Sequence, residues 1–97
     1  MIVRIVRMHF RAAGEEEFLS IFHSSKAVIR HFPGCIHLQL LKDINAVHTY
    51  TTWSHWQDAK DLETYRHSEL FKTVWSKVKP LFSDRPQAFS LEKFIEV

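Results

Sequence analysis

Glycine and proline are scarce in this 97-residue chain, two and three respectively, and cysteine occurs once. So few turn formers leave no flexible linker, no low-complexity stretch and no glycine-rich loop able to cradle a phosphate. The lone Cys35 excludes an intrachain disulfide framework and fits a reducing compartment. No apolar run approaches the roughly 18 residues of a membrane span. The opening Met1–Met8 stretch alternates with charges and lacks an uninterrupted apolar core, which reads against a signal peptide. The expectation is a cytoplasmic protein with no membrane partner. Excess charge of one sign is also missing. Thirteen Lys+Arg face eleven Asp+Glu, and the basic residues are scattered singly. A nucleic-acid footprint needs them clustered on one face.

Large aromatic side chains are abundant: eight Phe, three Trp and two Tyr. A chain this short buries only about 60–65% of its unfolded surface. Some of that aromatic area therefore has to line a pocket or a subunit interface. With no repeat and no composition shift, residues 1–97 form a single domain.

Residues 2–10 are rich in β-branched and apolar types in both phases, with Ile2, Val6, Met8 and Phe10 on one side and Val3 and Ile5 on the other. This predicts a strand apolar on both faces at its start. Ala12-Ala13-Gly14 breaks it, and Glu15-Glu16-Glu17 places negative charge where a helix N-terminus favours it. Phe18, Ile21, Phe22, Val28, Ile29 and Phe32 give a helix over residues 15–31, stopped by Phe32-Pro33-Gly34. Residues 35–42 alternate as a second strand, Asp43-Ile44-Asn45 supplies a turn, and residues 46–53 are β-branched and aromatic as a third strand. Helical patterning resumes at Ala59, Leu62 and Tyr65 and pauses at Arg66-His67-Ser68. It restarts with Ser68 as N-cap and carries Leu70, Phe71, Val74, Trp75 and Val78, with Pro80 ending it. Phe89, Leu91, Ile95 and Val97 alternate as a last strand.

The resulting order is the βαββαβ pattern of ferredoxin-like α+β domains: a four-stranded antiparallel sheet, both helices on one face, the second helix broken in two. The other face has no helix to cover it. A second subunit's sheet is the expected cover, because monomers rarely expose large apolar patches.

The stretch "TTWSHWQDAKDLETYRHSELFKTVWSKVKPLF", with "FPGC" after the first helix, resembles the antibiotic biosynthesis monooxygenase domain. That resemblance implies a homodimeric α+β barrel in which each subunit keeps a pocket between its helices and its sheet. It also implies an activity: oxygenation of phenolic or quinol-like compounds by molecular oxygen with no cofactor, or, in one branch, haem binding and degradation. The family tryptophan stands about twelve residues before the serine opening the last helix, which matches Trp56 and Ser68 and leaves Trp53 extra. The haem-degrading branch has an asparagine on strand one, a tryptophan in the first half of the broken helix and a histidine seven residues after the serine. Here the single Asn is Asn45 in a turn, and those other positions hold Tyr65 and Trp75. The departures disfavour haem degradation.

Oxygenation without a cofactor requires an electron-rich substrate, usually an ionised phenol or enol, in a dry aromatic pocket with one or two polar groups. Trp56 and Tyr65 are the candidates for wall and hydrogen bond, although buried Trp and Tyr commonly serve packing alone. Phe71 and Trp75 on the last helix extend the substrate wall. Arg7 and His9 share one face of strand one, and His48 and Tyr50 one face of strand three. If these faces look toward the helices they converge on the pocket, with His9 as base and Arg7, His48 and Tyr50 binding substrate. No H-E-x-x-H motif and no short-range histidine pair suggests a metal; His9, His37 and His48 could assemble one only if register placed them side by side. The alternative to an enzyme is a dimeric barrel that binds a small hydrophobic ligand without catalysis.

Overall fold

The computed structural model describes all of residues 1–97. The chain forms β1 (Ile2–His9), α1 (Glu15–Arg30), β2 (Cys35–Lys42), β3 (Thr49–Trp56), α2 (Ala59–Arg66), α3 (Glu69–Val78) and β4 (Gln87–Glu92). Short 3-10 turns, Ala12–Gly14 and Lys79–Leu81, follow β1 and α3. The strands lie in the order β2-β3-β1-β4, every neighbouring pair antiparallel, and the helices pack on one face. This is the ferredoxin-like α+β arrangement expected from the sequence.

Register decides which side chains meet the helices. Met8 lies opposite Tyr50, Val6 opposite Thr52 and Ala88, and Arg4 opposite Ser54 and Ser90. Residues paired across antiparallel strands point the same way, so these side chains share the helix-covered face. The other phase builds the outer face in rows. Leu91, Val3, His55 and His37 form one row; Phe89, Ile5, Trp53 and Gln39 form the next. Phe89 and Leu91 are about half exposed there, at 53% and 51%.

Two buried clusters fill the covered face. Met8, Phe10, Phe18, Tyr50, Val78 and Leu81 form one. Cys35, Trp56 and Leu62 form the other, flanked by Ile2, Phe32, Leu38 and Tyr65. The first is tied to the start of α1 by Glu15, whose carboxylate accepts from the Tyr50 hydroxyl at 2.5 Å and contacts His48 Nδ1 at 2.8 Å.

Local chemistry sets the break between α2 and α3. Asp58 caps α2 by accepting from the backbone N–H groups of Lys60 and Asp61, at 2.8 and 3.1 Å. Ser68 caps α3 by accepting from the Phe71 N–H at 3.1 Å while its hydroxyl donates back to the Tyr65 carbonyl at 2.6 Å. A cap of this kind contributes about 1 kcal/mol. It also fixes the corner that brings Tyr65 and Phe71 edge to face, with ring centroids 5.3 Å apart. Gly34, at φ +88°, turns the chain from α1 into β2 where a side chain would collide with Asp61.

The third and fourth strands differ from the sequence reading, and β3 runs on to Trp56 rather than ending at 53. β3 starts at Thr49 rather than 46, because Asp43 captures the N–H groups of Asn45 and Ala46 and His48 takes a left-handed conformation at φ 54°. The turn consumes the β-prone Ala46-Val47-His48. β4 stops at Glu92, which pairs with Ile2, the first residue of β1; Ile95 and Val97 therefore find no strand to pair with and lie exposed.

Candidate functional site

A cavity of about 350 Å³ lies between sheet and helices, where the two clusters meet. Arg4, Val6 and Met8 of β1 and Thr52, Ser54 and Trp56 of β3 form its floor. Phe18, Phe22 and Ile29 of α1, Tyr65 and Arg66 of α2, and Phe71, Val74 and Trp75 of α3 form its walls. Such a volume falls within the usual range of small-ligand pockets. At about 30 Å³ per water it equals roughly a dozen waters, enough for a bicyclic aromatic compound.

Trp56 is 1% exposed and stacks on Tyr65, with centroids 4.9 Å apart and planes inclined by 26°. Its Nε1–H donates to Ser54 Oγ at 3.0 Å, so the indole is held by ring packing and by hydrogen bonding together. Phe32 closes the back of this pair, 5.3 Å from Tyr65. On the α3 side Phe71 and Trp75 stack nearly parallel, at 5.8 Å and 12°. Burial, with a smaller contribution from Cys35, pushes the Tyr65 phenol up to about 12. The hydroxyl is therefore protonated near neutral pH and has a proton to donate.

Arg4 interrupts the apolar floor. It is half-buried, donates from Nη1 to Ser90 Oγ at 2.9 Å and forms no salt bridge. Desolvation first, and the Arg66 charge second, lower its pKa, against an opposing pull from Glu63; a guanidinium remains charged all the same. Arg66 pairs with Glu63 at 3.2 Å. Two guanidinium groups against one carboxylate leave this part of the lining cationic. No Asp, Glu or His side chain lines the cavity.

Of the residues proposed from sequence, Trp56, Tyr65, Phe71 and Trp75 come together on the cavity. The other four do not. Arg7 and His9 lie in the phase of Val3 and Ile5, on the outer face, where Arg7 pairs with Asp43 at 3.0 Å and His9 Nδ1 lies 3.2 Å from Thr49 Oγ1. The expected convergence with Tyr50 fails because Tyr50 is opposite Met8, not opposite Arg7 or His9. Tyr50 itself is 5% exposed in the core, and its hydroxyl is engaged by Glu15, which raises its pKa to about 12. His48 sits in the β2–β3 turn on the same carboxylate. Arg4 and Arg66 were missed. The signal for Arg4 was present, as a charge in the phase of Ile2, Val6 and Met8 that is otherwise apolar.

Histidines do not gather for a metal either. His37 lies beside His55 on the outer face, with rings 5.0 Å apart, while His9 and His48 are elsewhere. Nowhere do three His, Cys, Asp or Glu side chains converge as metal ligands. Burial pushes the Cys35 thiol up, away from nucleophilic character. No helix is long and apolar enough to cross a membrane.

Fold and cavity together define an α+β domain with a largely apolar pocket between its helices and its sheet. The family model described as antibiotic biosynthesis monooxygenase matches residues 1–75, and the chain belongs to that family. Solved structures agree on the fold. An antibiotic biosynthesis monooxygenase crystal structure superposes with a TM-score of 0.90 at 14% identity, covering 98% of this chain and 100% of that one. Rv0793 from Mycobacterium tuberculosis gives 0.89 at 15% identity, covering 98% and 96%. A mutant form of SnoaB, a cofactor-independent oxygenase from Streptomyces nogalater, gives 0.86 at 17% identity, covering 99% and 95%. No curated protein sequence matches the chain.

Proposed function

We propose that the protein is a cofactor-independent monooxygenase that oxidises a small phenolic or quinol-like aromatic compound with molecular oxygen. The observation that carries this reading is the cavity itself: an aromatic-walled pocket, with the Tyr65 phenol and two guanidinium groups among its few polar side chains, in a chain of this family. The likeness to SnoaB supports it.

The arrangement suits activation of the substrate by its own acidity. A hydroxyl hydrogen-bonded to Tyr65 ionises more readily in a cavity that also holds the Arg4 and Arg66 charges, because nearby cations favour the charged form. The proton passes to water, since no carboxylate or imidazole lines the site. Tyr65, held protonated, donates a hydrogen bond to the resulting oxyanion. The electron-rich ring gives one electron to dioxygen, and the two radicals combine at a ring carbon that bears two hydrogens in the keto tautomer. One oxygen atom stays on that carbon as a carbonyl. The other leaves as water with both hydrogens, so the substrate supplies every electron.

We also propose a homodimer joined through the outer sheet face, with Ile5, Trp53 and Phe89 in its central row. The half-exposed Phe89 and Leu91 and the family membership support this. The lone buried thiol suits a cytoplasmic setting.

The absence of an Asp, Glu or His from the lining favours a second reading, a barrel that binds a hydrophobic ligand without turning it over. Labelled dioxygen separates the two. Label in a carbonyl of the recovered product supports the oxygenase, and tight binding of every accepted compound with none altered supports the binding protein.

A further inference from the structure

Arg4 is the unusual residue of the cavity. Its β1 phase is otherwise Ile2, Val6 and Met8, and it points into the covered face with a single hydrogen bond, to the Ser90 hydroxyl. A guanidinium has five N–H donors in a planar fork. Arg4 is half-buried and its one hydrogen bond, to Ser90, lies toward solvent, so the guanidinium stands at the rim of the cavity with donors to spare. Arg66 lines the same cavity and engages its only carboxylate partner, Glu63, through Nη1. Trp56 and Tyr65, the latter preceding Arg66 on α2, stack in the same lining.

We propose that Arg4 and Arg66 form a carboxylate-binding subsite, and that the substrate is an aromatic compound carrying a carboxylate that these two guanidinium groups bind. The planar fork matches a carboxylate with two parallel hydrogen bonds, which a phenol oxygen cannot accept in the same way. The inference deepens the oxygenase reading by naming the substrate's charged group, and it rests on that reading in taking this cavity as the substrate site.

The test compares 2-naphthoate with 2-naphthol, neutral at pH 7, by calorimetric titration of the full chain. The expected result is tighter binding of 2-naphthoate, by about tenfold or more, the size of a charge-assisted hydrogen bond. Arg4→Gln should remove that preference while leaving 2-naphthol nearly unchanged, and Arg4→Lys should restore only part of it. If Arg4→Gln fails to fold by circular dichroism, Arg66→Gln and the wild-type comparison carry the test. Equal affinity for the two probes, a preference for 2-naphthol, or binding of neither overturns the subsite. The oxygenase reading fails separately, when neutral hydroquinones and carboxylated ones alike give no oxygen uptake.

Discussion

Replacing Trp56 by alanine tests whether one side chain closes both the core and the cavity. The indole is 1% exposed, stacks on Tyr65 at 4.9 Å, meets Phe32 edge-on at 6.3 Å and bonds Ser54 at 3.0 Å. Large-to-small changes at such sites cost about 3–5 kcal/mol. Trp56 also borders an existing cavity, so the neighbours have room to relax and the loss should fall toward the lower end of that range. For a domain of this size, about 3 kcal/mol lowers Tm by roughly 12–24 °C. Far-UV circular dichroism melts read this without relying on tryptophan emission. Trp56→Ala should also abolish 2-naphthoate binding at temperatures where the variant remains folded, because the wall is gone. Trp53→Ala is the matched control, three residues away on the opposite sheet face. Its effect should vary with protein concentration, as expected for a residue in a dimer interface, whereas that of Trp56→Ala on ligand binding should not. A stability loss below about 1 kcal/mol for Trp56→Ala, the size of a surface change, together with retained ligand binding, would refute the reasoning.

Three further outcomes follow from the same geometry. The chain has only two tyrosines, both raised to about 12. Tyrosinate absorbance should therefore titrate well above 10 in the folded protein and near 10 when denatured. The folded state holds the phenolic protons longer, so this stability is complete below about 10 and is lost as pH rises toward 12; a folded-state midpoint near 10 would contradict it. The Glu15 carboxyl is held below its usual range, first by the Tyr50 hydroxyl and then by His48. Its contribution is present above the unfolded value of 4.5 and disappears as pH falls through the lowered folded one. Glu15→Gln should flatten the acid limb of the stability profile, and an unchanged limb counts against the tether. Trp53→Asp or Phe89→Asp should convert the dimer to monomer in sedimentation, and a wild-type monomer at micromolar concentration would remove the dimer altogether.

Element order and the helix break were legible because each has a local cause, Ser68 capping a helix whatever surrounds it. Trp56 and Tyr65 were drawn from the family likeness instead, since the third strand was read as ending at 53 and its phase did not reach Trp56. The polar side of the site was not legible for a different reason. β1 is apolar in both phases near its start, so periodicity could not say which phase meets the helices. Arg7 and His9 followed Val3 and Ile5 outward, and Arg4 followed Val6 and Met8 inward. Only the pairing with β3 breaks that tie. The start of β3 was hidden by side-chain competition for the backbone. Asp43 Oδ1 accepts from two successive N–H groups and lengthens the turn through residues that otherwise favour a strand. The end of β4 depends on where β1 begins, a long-range fact that the alternation of Ile95 and Val97 does not contain.

Turnover of an aromatic substrate with molecular oxygen in this cavity, with Tyr65 taking part, is the step on which the rest depends. Oxygen uptake by metal-free protein, measured across a panel of hydroquinones and hydroxynaphthoates, tests it most directly, with Tyr65→Phe run beside the wild type. That change deletes one hydroxyl and leaves the stack on Trp56 in place. Uptake above the buffer rate is expected for at least one compound, with none of that compound converted anaerobically. The rate in Tyr65→Phe should be at least about tenfold lower, as for one hydrogen bond lost from a developing oxyanion. Uptake no faster than in buffer for every compound, or an unchanged rate in Tyr65→Phe, would contradict it.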